Sequence, residues 1–340
     1  MQPTAITEVL GRQTMKAMVQ DRYGPARDVL SLGEIPIPTI GPDEVLVRVR
    51  ASSVNAMEWH LMNGKPYLMR LAFGLRPRSA VLGADIAGTV VAIGEDVTRF
   101  EPGDEVFGEI GAGAYAEYAR ARVDHLTHKP AATRFEDVAV VGVAGLTALQ
   151  GIRDVLAVGS GQKILINGAS GGVGTYAIQI AKDLGAEVTA VCSTRNVDQA
   201  HRLGADTVVD YTRDDITATP ARFDSIFDLP GNHPLRDCKR LLATGGVYVM
   251  VGGPKGDWAG PLPRLLASQL VFAPGEKRAA NFTATSRAAD LAELGGLLAS
   301  GRIRSVIEDR FPLAEIAVPL DRQGRFHARA KTLVDVEGGI

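Results

Sequence analysis

The chain has 340 residues, 46% of them apolar, and its 37 basic and 39 acidic side chains leave a formal net charge of −2. That length supports two cores, and the balanced charge excludes the basic footprint of a nucleic-acid binder and the charged face of a membrane-surface protein. No apolar run approaches the ~20 residues of a membrane span, so neither nucleic acid nor a membrane is expected as a partner.

Residues 1–14 carry no clear pattern and read as an N-terminal extension; Thr4, Thr7 and Glu8 interrupt any apolar signal region. Met15–Val19 predicts a strand. Pro36, Pro38 and Pro42 punctuate the approach to a second, Val45–Arg50, whose partial alternation suits a sheet with one covered face. Gly88–Gly94 predicts another, and Pro102-Gly103-Asp104 predicts a turn into Glu105–Gly108. Short strands and frequent turns make residues 15–125 a mostly β region. Asp85 and Glu105 sit near strand ends and read as structural acids.

The character changes near Asp137. Asp137–Leu149 predicts an apolar helix, and strand–helix alternation follows. Val208–Asp210, Ser225–Asp228 and Val247–Val251 predict buried strands, Leu291–Leu298 a helix and Ile303–Phe311 a further strand. Such alternation predicts a parallel, doubly wound sheet.

Within it lies the most informative stretch, Lys163–Arg195. Ile164-Leu165-Ile166 predicts a buried strand, and Gly168, Gly171, Gly172 and Gly174 follow. Val173, Ala177, Ile180, Ala181 and Leu184 then recur on one helical face, Gly185 caps the end, and Glu187–Val191 predicts the next strand. This strand, glycine turn, helix and strand form the context a dinucleotide fingerprint needs. Gly171 is expected to make the tight turn, Gly172 to admit a pyrophosphate, and Gly174 to let helix and strand approach. The helix N-terminus would face the phosphate charge. The second strand ends in Cys192-Ser193-Thr194-Arg195, without the acid that binds an NAD ribose. Hydroxyls and a guanidinium suit a 2′-phosphate, which favours NADP(H). Cys192 and Cys238, the two cysteines, support neither a disulfide framework nor a cysteine-rich zinc site, so a reduced cytoplasm is expected.

Several motifs together resemble the medium-chain dehydrogenase/reductase superfamily, in its zinc-free quinone oxidoreductase branch. They are Met15-Lys16-Ala17, LGADIAGTVVAIGEDV (82–97), PGDEVFG (102–108), AGLTAL (144–149), NGASGGVG (167–174) and LGADTVVDYT (203–212). The resemblance spans Met15 to Val336. It implies an α/β chain with a GroES-like β domain (15–137 and 285–340) and a Rossmann NADP-binding domain (138–284). It places the nicotinamide in the cleft between them and implies a homodimer through the last Rossmann strand, read here as Val247–Val251. Where zinc-dependent members carry Gly-His-Glu, this chain has Gly83-Ala84-Asp85, and Asn55 stands near the position of their cysteine. His60, His125 and His128 show no ligand spacing with a cysteine, so no metal is expected.

The resemblance also assigns roles. Asn55 matches an asparagine that donates to the substrate oxygen or the nicotinamide ribose; the family usually has Asp where Glu58 stands. Tyr67 belongs to a substrate-loop wall, where its phenol either hydrogen-bonds a carbonyl or packs. Thr147 would touch the nicotinamide. Ala169, Ser170, Gly171, Gly172, Val173 and Gly174 would cradle the pyrophosphate, and Ser193, Thr194, Arg195 and Tyr211 the 2′-phosphate. Gly252 and Gly253 would sit beside the carboxamide, and Asn281 in a loop over the cofactor. His327-Ala328-Arg329-Ala330-Lys331 matches a segment that normally has Gly where Ala330 stands.

Without a metal, reduction of a plain carbonyl lacks a Lewis acid, whereas quinones and α,β-unsaturated carbonyls spread the developing charge by conjugation. The expected reaction is hydride transfer to a quinone or an enone β-carbon, with a proton from water or a side chain such as Tyr67. The alternatives are a non-catalytic NADPH-binding protein and a zinc-type alcohol dehydrogenase.

Overall fold

The computed structural model describes residues 11–253, 256–324 and 329–338. The chain forms two compact units. The first comprises the described residues of segments 1–65, 69–146 and 286–340; the second comprises Pro66–Leu68 and Thr147–Thr285. Residues 1–10 of the expected extension, with His327 and Ala328, lie outside the described residues.

The strands of the first unit are β1 (Thr14–Gln20), β2 (Leu30–Pro36), β3 (Glu44–Val54), β4 (Asp85–Ile93), β5 (Glu105–Glu109), β6 (Tyr118–Arg122) and β7 (Leu126–His128). The second unit contributes β8 (Lys163–Asn167), β9 (Glu187–Cys192), β10 (Thr207–Asp210), β11 (Phe223–Asp228), β12 (Leu242–Met250) and β13 (Arg278–Ala280). The chain then returns to the first unit with β14 (Ile307–Pro312) and β15 (Lys331–Asp335).

In the first unit a sheet runs β14-β15-β3-β4-β5-β7, with β6 also paired to β3, and β1 and β2 form a separate hairpin. Leu46 and Val47 are adjacent in β3 yet both fully buried. The single covered face expected there is thus wrong: the helix Phe135–Ala139 packs on β3, β4 and β5, and core side chains line the other side. The β character expected of residues 15–125 holds.

The second unit carries a six-stranded sheet, β10-β9-β8-β11-β12-β13, parallel at every pair. Leu165, Val191, Ile226, Tyr248 and Phe272 form its core. Successive strands add outward from β8 to β10, then outward on the other side from β11, so the order reverses between β8 and β11. Ligands of such sheets bind outside the strand ends at that reversal.

Three expectations need correction. The expected helix over Asp137–Leu149 is two, Phe135–Ala139 and Gly142–Leu149, followed by a π-helix over Gln150–Val155. The second starts at Gly142 because the Val143 N–H donates to Asp85 Oδ1 at 2.7 Å, which supplies a helix start from another element. The strand expected over Ile303–Phe311 begins only at Ile307, since the Ile303 N–H closes the preceding helix on Leu297 O. Finally, Val247–Val249 pair with Arg278–Ala280, so β13 forms the sheet edge and Val247–Val251 does not offer itself to a partner.

Candidate active site

The glycine turn leaves β8 at Asn167 and enters the helix Gly172–Asp183. Gly168 holds φ at +82°, a left-handed value that favours glycine. Gly171 is extended at −77°, so the tight turn belongs to Gly168 and not, as expected, to Gly171. Gly174 fits its expectation: a Cβ there would lie 2.4 Å from Gly168 O. Ala169 is buried, and its N–H donates to Val191 O at 3.1 Å, which ties the turn to β9. Ser170, Gly171, Gly172 and Val173 are half-buried at the helix start, where the first N–H groups lack intrahelical partners. The turn therefore has the backbone form of a pyrophosphate cradle.

At the tip of β9, Ser193 and Arg195 flank Thr194, and Tyr211 is 54% exposed just after β10. Thr194 Oγ1 donates to Asp210 Oδ2 at 2.6 Å and lies 2.8 Å from Thr212 Oγ1. Bonds from Thr194 and Thr212 hold the Asp210 carboxyl below its ordinary range. An acid thus stands beside the strand tip after all, supplied by β10 rather than β9. Asn196 Nδ2 donates to Ser193 Oγ at 3.1 Å, and Asn196 Oδ1 is buried without a hydrogen-bond partner.

The reversal point of the sheet carries a polar cluster that sequence reasoning missed. Asp228, at the end of β11, accepts from Asn167 Nδ2 (2.8 Å), the Gly231 N–H (3.0 Å) and the Tyr248 hydroxyl (2.7 Å). Gly252 follows β12 so closely that a Cβ would lie 2.3 Å from Leu229 O; at Gly253 it would lie 2.5 Å from Pro261 Cβ. Asn281 is exposed directly after β13. Thr147 is buried in the helix Gly142–Leu149. Tyr67 packs edge-on against Trp258, with centroids 5.5 Å apart, and its N–H donates to Asp257 O at 2.6 Å. Burial pushes the thiols of Cys192 and Cys238 up, to about 11 and about 12, which leaves them inert.

In the first unit the site residues meet around Asp85. Asn55 caps the helix Ala56–Asn63: its N–H donates to Glu58 Oε2 at 2.8 Å. Its amide Nδ2 donates to Glu58 Oε1 (3.2 Å) and to Asp85 Oδ2 (3.1 Å), and its Oδ1 accepts from Lys331 Nζ. Both amide hydrogens expected for a ligand oxygen are therefore engaged by carboxylates. Lys331 Nζ lies 3.3 Å from Asp85 Oδ2 and also donates to Val54 O. Ser53 Oγ donates to Asp85 Oδ2, the Ala84 N–H donates to Glu58 Oε1 (3.1 Å), and the Tyr115 hydroxyl donates to Ser53 O (3.1 Å). Glu58, Asp85 and Ser53 are fully buried, and Asn55 is the most accessible member at 7%. Burial, then repulsion by Asp85, pushes Glu58 up to about 7. Burial pushes Glu109 to about 7 as well, again with Asp85 as the second cause.

Three of these residues carry little local signal in the sequence. The role of Glu58 is clear only once its carboxyl is seen closing the helix cap. Asp85 looks structural in sequence and proves to be the centre of the cluster. In the sequence Lys331 stands only as the last residue of the His327–Lys331 segment; the available signal was a lysine opening a strand, Lys331–Asp335, whose Leu333 and Val334 are apolar.

Residues 41–131 match the alcohol dehydrogenase GroES-like domain, and residues 203–334 match a zinc-binding dehydrogenase domain. The chain is 32% identical to the chloroplastic quinone-oxidoreductase QR1 of Triphysaria versicolor, over 94% of this chain and 98% of that one. It is 32% identical to the mitochondrial NAD(P)H oxidoreductase RTN4IP1 of Mus musculus, covering 95% and 89%. Among solved structures, the quinone oxidoreductase from Coxiella burnetii superposes with a TM-score of 0.85 at 30% identity, over 96% of this chain and all of that one. No helix among the described residues is long and apolar enough to cross a membrane.

Proposed function

This chain belongs to the medium-chain dehydrogenase/reductase superfamily, in its quinone oxidoreductase-like branch, and on that premise we propose that it is a zinc-independent, NADPH-dependent reductase of quinones or α,β-unsaturated carbonyls. That it is an oxidoreductase using a nicotinamide cofactor follows from the family. The substrate, the choice of NADPH and the independence from zinc are the proposal.

The observation that carries the reading is the Lys331 ammonium set between Asn55 Oδ1 and Asp85 Oδ2. A divalent cation on Asp85 would meet a buried positive charge already bound there. Among the described residues, no group of three or more His, Cys, Asp and Glu side chains is placed to hold a metal. Without a Lewis acid, the acceptors the site suits are those that delocalise charge themselves.

The glycine turn fits the cofactor. Gly168 and Gly174 let the turn pack so closely that a Cβ would lie 3.0 Å from Pro230 Cδ and 2.4 Å from Gly168 O, respectively, and the helix Gly172–Asp183 presents its positive end at that turn. Ser193, Arg195 and Tyr211 are the proposed contacts of a 2′-phosphate. Gly252, Gly253, Thr147 and Asn281 are the proposed contacts of the nicotinamide half. When bound, the cofactor supplies the hydride. Asn55 and Tyr67 are the proposed donors to the acceptor oxygen; for Asn55, one amide hydrogen exchanges its carboxylate for that oxygen. A homodimer in a reducing compartment such as the cytoplasm completes the reading.

The test follows NADPH absorbance against a panel of quinones and enones, with NADH in parallel. Turnover with NADPH and preference for one class supports the reading. Tight NADPH binding without turnover on any acceptor would instead favour a non-catalytic role.

A further inference from the structure

Asp85 and Glu109 are direct partners across the antiparallel strands β4 and β5. Directly opposed residues share a face of the sheet, with Cβ atoms about 5 Å apart. Two carboxyls at that spacing in a mostly buried site do not both stay ionised. Their surroundings decide which one keeps the proton.

Asp85 is surrounded by donors. The Val143 N–H reaches Oδ1 at 2.7 Å, from the first turn of a helix whose dipole favours negative charge. Ser53 Oγ, Asn55 Nδ2 and the Lys331 ammonium all donate to Oδ2. Glu109 receives far less: its Oε1 accepts from the Gly111 N–H at 2.8 Å, and Ser286 lies beside it. Burial and the Asp85 charge hold its proton up to about 7. Glu58, also raised to about 7, is sealed from solvent, whereas Glu109 is half-buried and in reach of it. Glu109 is therefore the solvent-reachable carboxyl of the cluster that holds a proton near neutrality.

We propose that Glu109 is the proton donor that completes reduction of the acceptor, with Asp85 as its partner across the strand pair. This rests on the proposed reductase function. The acceptor gains two electrons and one proton as hydride, which leaves an enolate or hydroquinone anion. The Glu109 O–H bond breaks, its proton passes to that anion, and the carboxylate takes a replacement from water. The groups acting on Glu109 are Asp85 on β4, the Gly111 N–H and Ser286; Asp85 in turn interacts with Lys331, Glu58 and Tyr115.

Two measurements on the full chain test this. The first, which needs no turnover, is an infrared titration of the carboxyl C=O band of the wild type, Glu109→Gln and Glu58→Gln. The expected result is two protonated-carboxyl contributions lost near pH 7, one that Glu109→Gln removes and Glu58→Gln leaves in place, and a second that Glu58→Gln removes. The second is the pH dependence of kcat. In the wild type it declines as pH rises through about 7. In Glu109→Gln it is about 10²-fold lower and flat from pH 6 to 8, with KM little changed, and Glu109→Asp recovers part of both rate and profile. A Glu109→Gln variant with the wild-type rate and profile would overturn the proposal, as would the absence of any Glu109 band near neutrality. Failure of the wild type to reduce any acceptor would remove the functional reading instead, and the infrared titration would still decide which carboxyl holds the proton.

Discussion

The Lys331 ammonium lies 3.3 Å from the Asp85 carboxylate, with side chains 2% and 0% exposed. The two residues are far apart in sequence, on β15 and β4, and both flank β3. Removing one partner of such a pair strands the other in a low-dielectric interior and costs about 3–5 kcal/mol. Lys331→Met is therefore expected to lose about that much stability in urea denaturation at pH 7. The double variant Lys331→Met/Asp85→Asn should recover a substantial part of it. A single variant as stable as the wild type would mean the pair contributes nothing.

Glu58 gives a pH dependence with a definite sign. Its folded-state value of about 7 lies above that of an unfolded glutamate, so the folded chain binds the proton more tightly. Its contribution is fully present below the ordinary glutamate range and is lost as pH rises through about 7, an effect of about 3 kcal/mol. Glu109 acts in the same direction. Unfolding free energy measured from pH 5 to 8 should fall with pH in the wild type. In Glu58→Gln the slope should be shallower, with Glu109 providing the remainder.

Gly174→Ala places a methyl group 2.4 Å from Gly168 O. Helix and strand must part to admit it, at about 1–3 kcal/mol, and the turn deforms where the diphosphate is proposed to sit. Calorimetric titration with NADPH should show affinity reduced by about tenfold or more, since about 1.4 kcal/mol corresponds to a factor of ten. Unchanged affinity would remove the turn from the binding site.

Ala330 holds φ at +49°, immediately before Lys331 in β15. A left-handed alanine costs roughly 1–2 kcal/mol relative to glycine, partly offset by the greater unfolded-state entropy of glycine. Ala330→Gly should raise the unfolding free energy by up to about 1 kcal/mol, as measured by denaturant titration.

Arg195 stands at the tip of β9 beside Thr194, whose hydroxyl is committed to Asp210. If its guanidinium binds the 2′-phosphate, Arg195→Ala will weaken NADPH by about tenfold, an order of magnitude in keeping with a charge-assisted bond, while leaving NADH unaffected. Equal losses for the two cofactors would assign Arg195 a structural role.

Sequence alone determined the elements with local causes. The glycine turn, the helix Gly172–Asp183, the parallel strands and the β character of the first unit all follow from periodicity and from glycine at positions where side chains do not fit. These signals are legible because neighbours in the chain produce them. Which glycine turns the chain was not legible, since left-handed φ at Gly168 rather than Gly171 depends on the path of the whole strand–helix crossing. Nor was the sheet edge: β13 is a three-residue strand with no pattern of its own, formed by pairing along β12. The cluster of Asn55, Glu58, Asp85, Glu109 and Lys331 was decided only by tertiary structure. Strand register sets Glu109 opposite Asp85, and β15 carries Lys331 alongside β3. Burial then makes their mutual charges decide which carboxyl is ionised, and neither register nor burial is written in the local sequence around any one of them.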